Sequence, residues 1–78
     1  VTISVMLPDR PGMLVKTAEA IASAHGNVVE VLHTRHGDDF DISEVELRVS
    51  VETTGVEHSK RVLKALTDAG LKARVAKN

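Results

Sequence analysis

Apolar and polar residues alternate one by one in three stretches of the chain and repeat with helical spacing in two. Val1, Ile3, Val5 and Leu7 alternate with Thr2, Ser4 and Met6, the period of a half-buried strand. From Pro11 to His25 the apolar positions Leu14, Ala18, Ile21 and Ala22 follow a helix repeat and are expected on its inner face. Gly26, with Asn27 beside it, stands where a left-handed C-cap is wanted. Val28–His36 predicts a second strand, in which Val28-Val29 and Val31-Leu32 break the alternation, as a bulge or burial on both faces would. An acidic turn, Gly37–Asp41 with Phe40 at its tip, leads to the third strand. There Val45, Leu47, Val49 and Val51 oppose Glu44, Glu46, Arg48, Ser50 and Glu52, so one face is apolar and the other fully polar. Thr54-Gly55-Val56-Glu57 has the spacing of a capping box and opens a helix burying Val56, Val62, Leu63, Leu66 and Ala69 up to Gly70. Leu71, Ala73 and Val75 alternate with Lys72 and Arg74 as a last strand.

The order β-α-β-β-α-β predicts an α+β fold: a ferredoxin-like βαββαβ sandwich with a four-stranded antiparallel sheet in the order 4-1-3-2. Right-handed crossovers put both helices on one face. The stretch Val28–His36 then forms an open, apolar edge, which invites pairing with a second copy.

Between the first strand and first helix runs Leu7-Pro8-Asp9-Arg10-Pro11-Gly12-Met13-Leu14. Pro11 suits a first helical turn because it has no amide hydrogen to leave unpaired. Gly12 removes a side chain where a ligand could approach, and the amides of Gly12, Met13 and Leu14 are donors that suit a carboxylate or phosphate. The structural alternatives are that Asp9 caps the helix, Asn27 tolerates a left-handed turn and Met13 packs the helix start.

Composition narrows the field. Seventy-eight residues make one small domain, near the lower size limit for a self-sufficient core, and the absence of cysteine removes disulfides and thiolate metal sites. A net charge of −1 argues against a nucleic acid or membrane partner. No signal-peptide pattern opens the chain, so a cytoplasmic location is expected. Val1 already lies in a strand pattern, as in a piece of a longer chain. Of the histidines, His33 and His36 point to opposite faces of one strand, while His25 and His58 sit at helix ends, so no metal site is expected. Asp38, Asp39 and Asp41 lack the spacing of a calcium loop.

The segment Leu7–Leu14, followed by Ile21-Ala22-Ser23-Ala24-His25-Gly26-Asn27-Val28, resembles an ACT domain, a small regulatory module of amino-acid metabolism. The resemblance covers the whole chain, 1–78. Val31-Leu32-His33-Thr34-Arg35, Ser43–Leu47 and Val51-Glu52-Thr53 most resemble the C-terminal ACT domain of threonine ammonia-lyases (threonine dehydratases). The resemblance implies side-by-side pairing through the Val28–His36 edge and an amino-acid effector at the interface. The implied ligand-binding residues are Asp9, Pro11, Gly12, Met13, Leu14, Asn27 and Val28. Asp9 would take the ammonium and Asn27 the carboxylate or amide-reachable edge, across two subunits. Some family members carry Asn at the place of Asp9.

It further implies a non-catalytic domain that regulates an attached catalytic domain, with pyridoxal phosphate as that parent enzyme's cofactor and none here. Alternatives are an oligomerisation module without ligand and a free-standing regulator acting in trans. Other tenants of this topology fit poorly: Phe40 is the one aromatic and lies in a turn, unlike base-stacking RNA binders. Metal carriers with a C-x-x-C turn need cysteine. Arg10 lies where acylphosphatases use an arginine, but the phosphate-cradling glycines are missing.

Overall fold

A computed structural model describes residues 1–8, 10–35 and 44–76. Its elements follow the expected order: β1 (Thr2–Pro8), α1 (Met13–Ser23), β2 (Asn27–Arg35), β3 (Glu44–Glu52), α2 (Val56–Asp68) and β4 (Lys72–Val75). The sheet order is β2-β3-β1-β4, all pairs antiparallel, which is the predicted 4-1-3-2 arrangement with β2 at an edge. Asp9, His36 and the acidic turn with Asp38, Asp39, Phe40 and Asp41 lie outside the described residues. Among the described residues no helix is long and apolar enough to cross a membrane.

The alternation in β1 and β3 builds the core directly. Ile3, Val5 and Leu7 face Val45, Leu47, Val49 and Val51 on one side of the sheet, and Ile21, Val62, Leu66 and Leu71 close over them. The opposite face carries no helix, yet Ser4 is buried on it because its hydroxyl donates to Glu46 Oε2 across the sheet. β2 carries the expected irregularity, a register shift between Val28 and Glu30 that leaves Val29 unpaired.

The helices depart from the sequence expectations in four places. First, α1 begins at Met13 rather than Pro11. Gly12 is its N-cap with a left-handed φ of 88°, which only glycine adopts freely, so the prolyl ring stays outside the helix. Gly12 holds the N-cap position, and no side chain among the described residues caps this end; the expected cap, Asp9, lies outside them.

Second, α1's inner face is Thr17, Ala20 and Ile21, not the stripe Leu14, Ala18 and Ala22. Thr17 is accommodated because its hydroxyl donates to the Met13 carbonyl one turn back (2.9 Å). Leu14, by contrast, stays 54 % exposed.

Third, the left-handed residue after α1 is His25 (φ 64°), one position before Gly26, and Asn27 already belongs to β2. Amides of His25 and Gly26 bond back to Ala22 and Ile21, closing the helix in a Schellman arrangement. Gly26 is required for another reason. A Cβ there would lie 2.8 Å from both Ile21 Cγ2 and Val51 Cγ1. At the end of α2 the same closure uses Gly70, as expected, with Leu71 folding back onto the core.

Fourth, the Thr54–Glu57 capping box does not form: Gly55 is the N-cap of α2, with no side-chain cap. His58 does comparable work. The Thr54 amide donates to its Nδ1 (2.9 Å), and its Nε2 donates to the Ala24 carbonyl at the end of α1 (2.7 Å). Both ring nitrogens are thereby used, which suits burial at 6 % exposure and ties the two helices together. Val56, expected inside, precedes this anchor and is exposed, while Leu63 and Ala69 only border the core.

Replacing Gly26 with alanine drives a methyl group into two core side chains. The expected cost is about 1–3 kcal/mol, measured by chemical denaturation. A change below ~0.5 kcal/mol would show that the α1–β2 junction gives way freely.

Candidate functional site

The β1–α1 turn and the edge strand β2 approach the same corner of the molecule. Leu7 pairs with Val45, and Val45 pairs with Arg35, so the end of β1 lies level with the end of β2. Between them is a cleft of about 140 Å³, walled by Leu7, Met13, Leu14, Val31 and Leu47, with Arg10 and His33 as its polar members. A smaller apolar hollow continues it between α1 and β2, past Leu14, Ala18 and Val28. Met13 and Leu14 are thus in the cleft wall, and their amides open α1 without a capping side chain. Pro11 and Gly12 shape the turn without lining the cleft, and Asp9 lies outside the described residues.

Arg10 and His33 are absent from the ligand residues expected from the sequence. Arg10 could be located there only as one residue of a turn. His33 faces the helices because its partner on β3 is the core residue Leu47, and that register is a property of the folded sheet.

Asn27 and Val28 stand at the other end of β2. Asn27 pairs with Glu52 while Pro8 pairs with Glu44, eight residue steps away along β3, roughly 27 Å at ~3.4 Å per residue. Within one chain the turn and Asn27 therefore do not meet. Asn27 instead borders a polar hollow of about 360 Å³ shared with His25, Glu52, Thr53, Thr54 and His58. Its Nδ2 donates to Glu52 Oε1 (2.9 Å).

The cleft is smaller than the roughly 300–1,000 Å³ of a complete small-molecule pocket. It also opens on a surface that is unusually apolar for a free edge. On the cleft's side of that edge Leu14 is more than half exposed and Val28 and Val31 more than a third, while Val29 at the bulge and Leu32, opposite Arg48 on the helix-free face, are more than half exposed. Among the described residues no group of three or more metal-ligating side chains converges.

Asn27 makes an exposed hydrogen bond and is no part of the buried core. Asn27→Ala is expected to change unfolding stability by no more than ~0.5 kcal/mol in a denaturant titration. A loss above ~2 kcal/mol would assign Asn27 to the folding of the α1–β2 junction instead.

Comparison with known proteins agrees with this geometry. The ACT domain family model matches residues 1–71. The chain is 33 % identical over 75 residues to L-threonine ammonia-lyase of Geobacter sulfurreducens, covering 96 % of this chain and 19 % of that protein. It therefore spans about a fifth of that relative's length. A crystal structure of a Bacteroides thetaiotaomicron protein shares the fold with a TM-score of 0.70 at 19 % identity, over 96 % of this chain and 45 % of that one. By the match over nearly its whole length and the βαββαβ sheet that carries it, the chain belongs to the ACT domain family.

Proposed function

We propose that this domain is an amino-acid sensor formed by two copies paired antiparallel along β2, and that it regulates a threonine ammonia-lyase-like enzyme. One observation supports this above the rest: the cleft at the β1–α1 turn is small for a complete pocket and lies against the apolar strand β2, whose outer edge pairs with no strand among the described residues. Antiparallel pairing of β2 with its copy brings the start of the partner's β2 to the end of the sheet where the turn lies. Asn27 and Val28 of one copy then meet Met13 and Leu14 of the other. Parallel pairing would keep them apart. The same contact covers the outward stripe Leu14, Ala18 and Ala22 of α1 and supplies the missing strand partners of β2.

The ligand class follows from the walls. A small aliphatic or hydroxyl side chain, of the isoleucine, valine or threonine class, suits the apolar cleft, and a zwitterionic end suits the polar groups at its rim. Control of the enzyme then requires only that the ligand bind one arrangement of the pair better than another, since it shifts an equilibrium by its differential affinity.

The domain is proposed to be non-catalytic itself. Pyridoxal phosphate, the cofactor that the family resemblance implies, needs a lysine for its Schiff base. That cofactor would belong to the catalytic portion of a parent enzyme.

Calorimetric titration with L-isoleucine, L-valine, L-threonine and L-serine, alongside sedimentation, tests the reading. Saturable binding of one of them, at one ligand per subunit or one per dimer and lost in Asn27→Ala, is the expected result. A stable dimer silent to all four would contradict sensing and leave an assembly module.

A further inference from the structure

An α-amino acid carries opposite charges at its two ends, and the two halves of the proposed interface site differ in the same sense. On the turn half stand the Arg10 guanidinium and the first amides of α1, which are donors only. The other half is the polar hollow at the start of β2, where Asn27 and Glu52 project from the same face of the sheet as cross-strand partners.

The hydrogen bond between them fixes how Asn27 is presented. An ionised carboxylate can only accept, so the Asn27 NH₂ group must face Glu52, as it does at 2.9 Å. Asn27 Oδ1 is thereby turned away from Glu52. The second Glu52 oxygen makes no hydrogen bond to the described residues. His58, on the hollow's inner side, has both ring nitrogens already used by Thr54 and Ala24. What remains is one amide oxygen, one carboxylate and the second Asn27 amide hydrogen, a wall in which acceptors and negative charge predominate.

We propose that Glu52 sets the polarity of the amino-acid site: the ligand's ammonium lies against Glu52 and Asn27 Oδ1 of one copy, and its carboxylate against the donor-rich turn of its partner. This rests on the paired, amino-acid-binding reading above and deepens it. It reverses the orientation that the family resemblance implies, Asp9 to the ammonium and Asn27 to the carboxylate, because the Glu52 carboxylate takes one of the two Asn27 amide hydrogens and its charge repels a second carboxylate beside it. It also adds a binding residue at the end of β3, a strand to which the sequence had assigned none.

Glu52→Gln tests this without removing the partner of Asn27, since the glutamine oxygen still accepts from Nδ2 while the charge is gone. Both chains are titrated with L-isoleucine and L-valine and with their counterparts lacking the amino group, 3-methylpentanoate and 3-methylbutanoate, and their dimerisation is followed by sedimentation. In the unsubstituted chain an amino acid binds and its des-amino counterpart binds at least about tenfold more weakly. In Glu52→Gln the amino acid weakens by about ten- to a hundredfold, the discrimination shrinks, the dimer persists, and Glu52→Asp recovers part of the affinity. Unchanged amino-acid affinity in Glu52→Gln overturns the polarity while the paired sensor stands. Weakening that merely follows loss of the dimer overturns it as well. Failure of the unsubstituted chain to bind either amino acid removes the sensor reading and this inference with it.

Discussion

An edge strand carries a row of backbone donors and acceptors with no partner in its own sheet, and in β2 that row is flanked by valines and a leucine. Water satisfies the polar groups of such an edge but not the apolar ones, and a second strand satisfies both. In a domain of 78 residues, with little core to spare, this constraint governs much else. It explains why α1 carries an outward apolar stripe next to β2. It also accounts for a cleft at the β1–α1 turn that lacks one wall.

The position of β2 depends in turn on one junction. His25 takes the left-handed conformation, Gly26 lets Ile21 and Val51 close to within a distance no methyl group would permit, and Asn27 enters the sheet immediately afterwards. His58 holds the same corner from α2 through the Ala24 carbonyl. Asn27 is consequently presented at a fixed point of the sheet, against Glu52, rather than on a free loop. The bulge at Val29 follows two residues later and resets the strand before Val31 and His33 reach the cleft.

Much of this architecture was legible in the residues. Strict alternation in β1 and β3 leaves one choice of buried face, and the order of elements then fixes the sheet topology and the edge. α1 was harder because it has two apolar stripes, and periodicity cannot tell the one that meets the sheet from the one left outside. The inner stripe hides a threonine, whose hydroxyl is satisfied by its own helix, while the outer one displays the more obvious Leu14. The caps were misplaced for a related reason. Glycine was expected to mark the left-handed residue after α1, but at Gly26 it marks close packing. The capping box was expected from spacing, but His58 competes successfully for the Thr54 amide. At the site, Met13 and Leu14 could be located from the turn motif. Arg10 could be located only as one residue of that turn, and His33 and Glu52 not at all, because their places depend on cross-strand register and on a hydrogen bond between residues 25 apart.

A site built from two copies has one thermodynamic signature that a site within one chain lacks: ligand and self-association must strengthen each other by the same factor. Sedimentation velocity over a wide range of protein concentration, with and without saturating amino acid, measures that factor directly. The proposed β2 interface predicts a monomer–dimer equilibrium that a bound amino acid shifts toward dimer, by at least about tenfold in the dissociation constant. Saturable binding with no shift in that equilibrium would place the ligand inside a single chain and contradict the interface site.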